Sequence, residues 1–176
     1  MKSEIEIKFD YKALLHAHGP YPEPENIKSN TRQAVLLAEN YSGPLSELTA
    51  ITQYVFHHLM AGPENEVAAQ VILDIAIVEM RHLDVLGSYI KALGLRPEYK
   101  SYKNGGRFWN ASQVTYGKTL QSMLEADIAA ELSAIKQYRR TIELIKNEKI
   151  NDMLRRIIAD EEQHVILFKM LLNEQK

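Results

Sequence analysis

The sequence contains Glu-x-x-His twice, at Glu79–His82 and Glu161–His164, each in the middle of a run whose apolar residues recur alternately three and four positions apart. That spacing marks the face an α-helix turns inward. One run reads Ile72, Ile75, Glu79, His82, Leu86, Tyr89, Leu93; the other reads Ile150, Leu154, Ile157, Glu161, His164, Phe168, Leu171. Two further runs also put carboxylates on their inward faces: Leu120, Leu124, Asp127, Glu131, Ala134, Tyr138, Thr141, Ile145, and Pro44, Glu47, Ile51, Tyr54, His58. Four helices therefore each bring acid to the middle. A buried charge without a partner costs on the order of several kcal/mol, and like charges repel. No Lys or Arg lies on these four faces. The carboxylates must be protonated, paired with bases or bound to cations, and two metal ions meet the need directly. Residues three apart share a helix face, so Glu-x-x-His offers one oxygen and one nitrogen together. Mixed carboxylate and imidazole suits Fe or Mn.

With 17 Glu and six His in 176 residues, about 0.6 Glu-x-x-His matches arise by chance, so one copy carries little weight. Two copies in mid-seam, joined by glutamates on two other seams, carry much more. The arrangement matches a known pattern of di-metal helical bundles.

The order of elements agrees. Thr31 to Asn40 opens helically, and Ser42–Pro44 breaks or restarts it, with Pro44 suited to a first helical turn. A first main helix then runs to about Ala61, a second from about Glu64 to Leu93, a third from about Lys118 to Lys146, and a fourth to the chain end. The first and last pairs have short connections, whereas more than 20 residues rich in turn formers separate the second helix from the third. The expected fold is all-α, a four-helix bundle at 31–176 with a long crossover between helices 2 and 3. Residues 1–30 read as an N-terminal arm, with a strand-like alternation of Ile5, Ile7 and Phe9 and then "HAHGPYPEPEN". The arm should wrap the body or a partner chain.

Absences narrow the field. Without cysteine there is no disulfide, thiolate zinc site, iron–sulfur cluster or thiol catalysis, and a reducing, cytoplasmic compartment is expected. A net charge of −2 and no basic tract predict no nucleic-acid partner. No run of about 18 apolar residues exists, so no membrane partner is expected.

Several segments resemble a family. "SELTAITQY", "VEMRHLD", "MLEADIAAELSAIK" and "DEEQH" are similar to the four motif segments of the ferritin-like superfamily, which includes bacterioferritin and rubrerythrin. With "YPEPENIKSN", "NYSGPLSEL" and "DIAIVEMRHLDVL", the layout resembles manganese catalase and its spore-coat relatives. The resemblance implies that Glu47, Glu79, His82, Glu131, Glu161 and His164 ligate two Fe or two Mn ions, with Glu79 and Glu161 as bridges. It implies that Glu47, Glu79, Glu131 and Glu161 act in catalysis, that Asp127 orients a ligand or a histidine N–H, and that Tyr54 and Tyr138 place hydroxyls nearby or pack in the core.

The expected activity is a redox reaction with hydrogen peroxide or dioxygen, catalase-like or peroxidase-like; the latter would also need an electron-donor protein. One alternative is an iron-binding ferroxidase without a storage shell, since no fifth helix follows the fourth. Another is a structural or spore-coat protein with a vestigial site. Rubrerythrins carry an additional glutamate where this chain has Ala134, and a Cys-rich domain that is absent here. Met80 stands beside Glu79, where bacterioferritins place a haem-binding methionine, but packing is the expected role and haem is not. His57 and His58 are expected at the surface or the bundle end, His16 and His18 exposed on the arm, and Phe108 and Trp109 packed over the bundle. A homodimer or larger homo-oligomer is expected.

Overall fold

The computed structural model describes residues 11–103 and 105–175. The Ile5–Ile7–Phe9 alternation lies outside them. Among the described residues five α-helices form: α1 at Thr31–Ser42, α2 at Glu47–Ala61, α3 at Glu66–Ala92, α4 at Leu120–Leu144 and α5 at Glu148–Asn173. Each begins behind a polar N-cap (Asn30, Ser46, Asn65, Thr119, Asn147) whose side-chain oxygen accepts a backbone N–H of the first turn. The end of α3 turns on Gly94 at φ 91°, and Leu95 N–H reaches back to Ile90 O at 3.1 Å. A Cβ at Gly94 would also stand 2.7 Å from Ser29 Oγ, so the closing turn needs glycine twice over.

The helices make four columns. Helices α1 and α2 follow one another along α3, forming one broken column. The short 62–65 connection makes α2 and α3 an antiparallel hairpin, and 145–147 does the same for α4 and α5. The two hairpins face each other, joined by the long crossover. This is the expected ferritin-like helical bundle. Among the described residues no strand forms, only an isolated antiparallel bridge between Lys100 and Phe108. No described helix is long and apolar enough to cross a membrane.

The break in the first column differs in detail from expectation. Pro44 sits before the Ser46 cap and is exposed, not within a first turn. The restart also rotates the inward face of α2. Glu47, Gln53, Tyr54 and His57 are buried, whereas Ile51 and His58 are only partly so. The other three seams hold, apart from Ala134, which is half-buried.

The crossover is tied down by polar contacts. Buried Glu39 accepts Tyr102 N–H at 2.6 Å, Lys103 N–H at 3.0 Å and Ser101 Oγ at 3.0 Å. Trp109 Nε1 donates to Thr49 Oγ1 at 2.9 Å, so this indole does lie on the bundle. Phe108, expected beside it, is 67 % exposed.

Apolar side chains gather in two clusters. One is built around Leu37, Leu86, Tyr89, Leu154 and Ile157, and the other around Tyr54, Ile72, Ile75, Leu124 and Phe168. On α3, Glu79 and His82 lie between Ile75 of one cluster and Leu86 of the other. On α5, Glu161 and His164 lie between Ile157 and Phe168 in the same way. A polar layer thus separates two dry ones.

Candidate metal centre

All six residues singled out by the sequence meet in that layer, each 3 % exposed or less. They form two overlapping groups: Glu47, Glu79, His82 and Glu161, and Glu79, Glu131, Glu161 and His164. Within each group one donor atom per residue lies within 4.8 Å of all the others. Glu79 and Glu161 belong to both, while Glu47 with His82 and Glu131 with His164 belong to one each.

The imidazoles turn the same nitrogen inward. His82 Nδ1 is 2.7 Å from Glu79 Oε2, 3.4 Å from Glu161 Oε1 and 3.7 Å from Glu47 Oε2. His164 Nδ1 is 2.7 Å from Glu79 Oε1, 3.1 Å from Glu161 Oε2 and 3.6 Å from Glu131 Oε1. Their Nε2 atoms point out of the group, to Asp160 Oδ2 at 3.0 Å and Leu15 O at 2.9 Å. Both outer partners accept, so each Nε2 carries hydrogen and Nδ1 is the atom free to ligate.

Hydroxyls brace the outer carboxylates. Tyr54 OH donates to Glu131 Oε1 at 2.6 Å, and Tyr138 OH donates to Glu47 Oε1. Burial, then the surrounding carboxylates, pushes both phenols well above their usual range, so they remain donors.

The charges show what the layer lacks. Burial, with the charges of Glu161 and Glu79, raises Glu47 and Glu131 well above the carboxylate range. Burial also acts to raise Glu79, but the charges of His82 and His164 outweigh it and hold the group well below. Burial acts to lower both imidazoles, but Glu79 and other neighbouring carboxylates outweigh it and raise them well above the usual range. In the metal-free protein two imidazolium charges stand where two cations would. Four buried carboxyl groups thus share two imidazoles, and Glu161 Oε1 has no partner nearer than His82 Nδ1 at 3.4 Å. All four carboxyl groups and both imidazoles turn donor atoms into the layer. With a donor set of carboxylate oxygens and one imidazole nitrogen per group, they fit two Fe or Mn ions.

A cavity of about 350 Å³ opens on the side away from the histidines, between α2 and α4. Glu47, Glu131 and Glu161 lie at its floor, with Ala50, Ala126 and Ala130 in its walls.

Two placements correct the sequence expectations. His57 is not at the surface: it is fully buried, with Nδ1 2.7 Å from Asp127 Oδ1 and Nε2 donating to Thr115 O at 2.9 Å. Asp127 therefore serves His57 and Gln53, not a ligand of the centre. Asp160 holds the outer N–H of His82 instead. A stripe of i, i+3 and i+4 positions passes over Asp160, which sits one residue from the seam. The signal available was chemical, since a ligating histidine needs an acceptor behind it. His58 is half-buried, with Nδ1 2.8 Å from Ala69 O. His16 and His18 are exposed, as expected. Met80 is 45 % exposed, while its neighbour Glu79 is buried. Arg81 and Asp84 pair at 2.7 Å on the surface.

Fold and site together define a di-metal carboxylate bundle. The model of the ferritin-like domain matches residues 45–176. The chain belongs to the ferritin-like family. It is 31% identical over 124 residues to a bacterioferritin of Streptomyces coelicolor, covering 68% of this chain and 69% of that protein. It is 24% identical over 170 residues to a probable manganese catalase of Clostridium acetobutylicum, covering 85% and 74%. Among solved structures, a manganese catalase from Anabaena superposes with a TM-score of 0.82 at 28% identity, over 91% of this chain and 80% of that one.

Proposed function

We propose that residues 31–176 form a di-metal redox centre that disproportionates hydrogen peroxide, with residues 1–30 as an arm. In this reading Glu47, Glu79, His82, Glu131, Glu161 and His164 hold two ions of Mn or Fe. The observation that carries it is the pair of buried four-residue groups sharing Glu79 and Glu161, each with three carboxylates and one imidazole turned to a common point. The similarity to manganese catalases over most of the chain supports peroxide as the substrate.

A pair of redox-active ions, when bound, would supply the two-electron change needed to cleave the O–O bond of one peroxide to water and to oxidise another to dioxygen. The protein's residues do the rest. The α2–α4 cavity admits a two-oxygen substrate to the floor where Glu47, Glu131 and Glu161 converge. The apolar clusters on either side keep bulk water out and strengthen every charge in the layer. Glu79 and Glu161 face both halves and equalise them. Glu47 and Glu131, on the cavity side, would take protons from one peroxide and return them to the two oxygens of the next, which leave as water. Tyr54 and Tyr138 keep those two carboxylates oriented through the exchange. Because one peroxide reduces what the other oxidises, no electron-donor protein is needed.

Metal analysis of purified protein, with oxygen release from peroxide on the same sample, tests this. Two Mn or Fe per chain with oxygen evolution supports the reading. Two metals without turnover would favour the second reading, iron oxidation and handling, to which the similarity to a bacterioferritin points. No metal, and none taken up anaerobically, would leave a helical scaffold with a vestigial site.

A further inference from the structure

Both inward-facing histidines are held from behind, and in both cases the segment preceding α1 supplies or braces the hold. We infer that residues 15–21 are a clamp that sets the outer hydrogen bonds of His82 and His164 and so sets the affinity of the centre for metal. This rests on the metal-centre reading above.

The two holds differ in kind. Behind His164 stands a backbone carbonyl of the arm itself, Leu15 O, at 2.9 Å from Nε2. Behind His82 stands Asp160, which is fully buried and is in turn gripped by the arm. Ala17 N–H donates to Asp160 Oδ1 at 2.5 Å and Tyr21 OH to Oδ2 at 2.6 Å. Arg156 Nη1 completes the grip at 2.5 Å, and the arm positions that guanidinium too. Arg156 Nη2 donates to Ala17 O at 2.6 Å and Nε to Gly19 O at 3.1 Å, with the guanidinium 4.5 Å above the Tyr21 ring. The Tyr21 ring also meets His82 edge-on at 5.7 Å.

Without the arm, His164 loses the acceptor that fixes its Nε2 hydrogen. Asp160 loses two donors, and Arg156 loses both carbonyls that aim it. The six inward-facing residues would all remain, since none belongs to the arm. Such outer partners fix the tautomer and ring angle of a ligating histidine, and losing one lowers metal affinity about 10–100-fold. The family match begins at residue 45, so the clamp lies outside the matched domain. Tyr21, Asp160 and Arg156 are thus positioning residues, acting through the histidines.

Three proteins test this: the full chain, a variant lacking residues 1–18, and Tyr21→Phe, each labelled with ¹⁵N-histidine. Imidazole NMR of the metal-free proteins reads the Nε2 hydrogens, circular dichroism reads helix content, and chelator competition with Mn(II) reads affinity. The deletion should keep its helices, lose the exchange-protected Nε2 hydrogen of His164, and weaken Mn(II) binding about 10-fold or more. Tyr21→Phe, which removes one hydroxyl and keeps the ring, should shift the His82 signal, leave that of His164 in place, and weaken binding by less. An arm that merely covers the bundle would lower the melting temperature without moving either imidazole signal or the affinity, and that result overturns the clamp. An unmoved His82 signal and unchanged affinity in folded Tyr21→Phe would overturn it equally for the His82 half. A full chain that shows both protected hydrogens yet takes no metal would sink the metal-centre reading and leave the clamp contacts standing.

Discussion

Replacing Glu47 with glutamine should stabilise the metal-free protein and destabilise the loaded one, and the opposite signs are the test. Glu47 is buried among like charges, so its folded carboxyl titrates well above the ordinary value of 4.5. A raised acid holds its proton in the folded state over a range where the unfolded chain has released it. That stability is fully present below the ordinary value and is lost as pH rises through the folded one. Each such retained proton tilts the stability curve by about 1.4 kcal/mol per pH unit. For a chain of this size that is roughly 3–6 °C of melting temperature per unit. The amide of the Glu47→Gln variant would still accept the Tyr138 hydroxyl through its carbonyl oxygen but has no proton to lose. Metal-free wild type should therefore melt progressively lower than Glu47→Gln as pH rises above the ordinary value of 4.5 and through the folded one, since the neutral amide avoids the cost of a buried charge. Metal demands the ionised carboxylate, so the order should reverse on loading. A tenfold weaker affinity removes about 1.4 kcal/mol of metal-dependent stabilisation. The assay is calorimetric melting of chelator-treated and Mn(II)-loaded samples across that pH range. Parallel pH curves for the two metal-free proteins, or equal gains on adding Mn(II), would refute the account of a charge-strained layer awaiting cations.

Other outcomes follow from single contacts. Tyr54→Phe or Tyr138→Phe frees one outer carboxylate, so metal retention against a chelator should fall about 10-fold while the helices persist. Asp127→Ala leaves the Nδ1 side of buried His57 and the Gln53 amide without their carboxylate, and should lower stability by about 3 kcal/mol, read by denaturant titration, with the Mn(II) stoichiometry of the folded protein unchanged. Ala130→Leu narrows the α2–α4 cavity, and oxygen-release kinetics should show kcat/KM for peroxide falling several-fold at constant metal content. An unaltered kcat/KM would place the substrate route elsewhere.

Much of the site could be read from the sequence because its principal parts are periodic. Glu79, His82, Glu131, Glu161 and His164 recur at helical spacing within apolar runs, and the helix fixes which way such residues face. The column that was misread is the one whose helix is interrupted. After Gly43 and Pro44 the chain restarts at the Ser46 cap, and the new phase carries His57 inward and turns His58 partly out. From Tyr54 the spacing allows a step of three or of four, and the contacts of His57 with Asp127 and Thr115 O decide for three. Asp160 is illegible for a different reason: it lies beside the seam, where a stripe ignores it, yet Ala17, Tyr21 and Arg156 close it off from water.

The arm was the least legible part, and its chemistry explains why. Its contribution to His164 is a main-chain carbonyl, which every residue possesses and no motif records. Its contribution to His82 passes through Asp160, so Tyr21 and Ala17 carry no spacing signal relative to the histidine they serve. Contacts of this kind depend on where the chain is laid, and the laying is fixed by dispersed anchors: Tyr89 OH on Pro22 O at 3.1 Å, Lys149 Nζ on Glu25 O at 3.0 Å, and Asn30 N on Leu93 O at 3.0 Å. These anchors tie the segment to α3 and α5, the two helices that carry Glu-x-x-His. The centre accordingly has two unlike sides. Alanines and an open cavity line the α2–α4 side, where small molecules can enter, while peptide and arginine seal the α3–α5 side, where movement would disturb both histidines at once. In the reading proposed above, that division would hold both histidines from one side and leave the carboxylates open to substrate from the other.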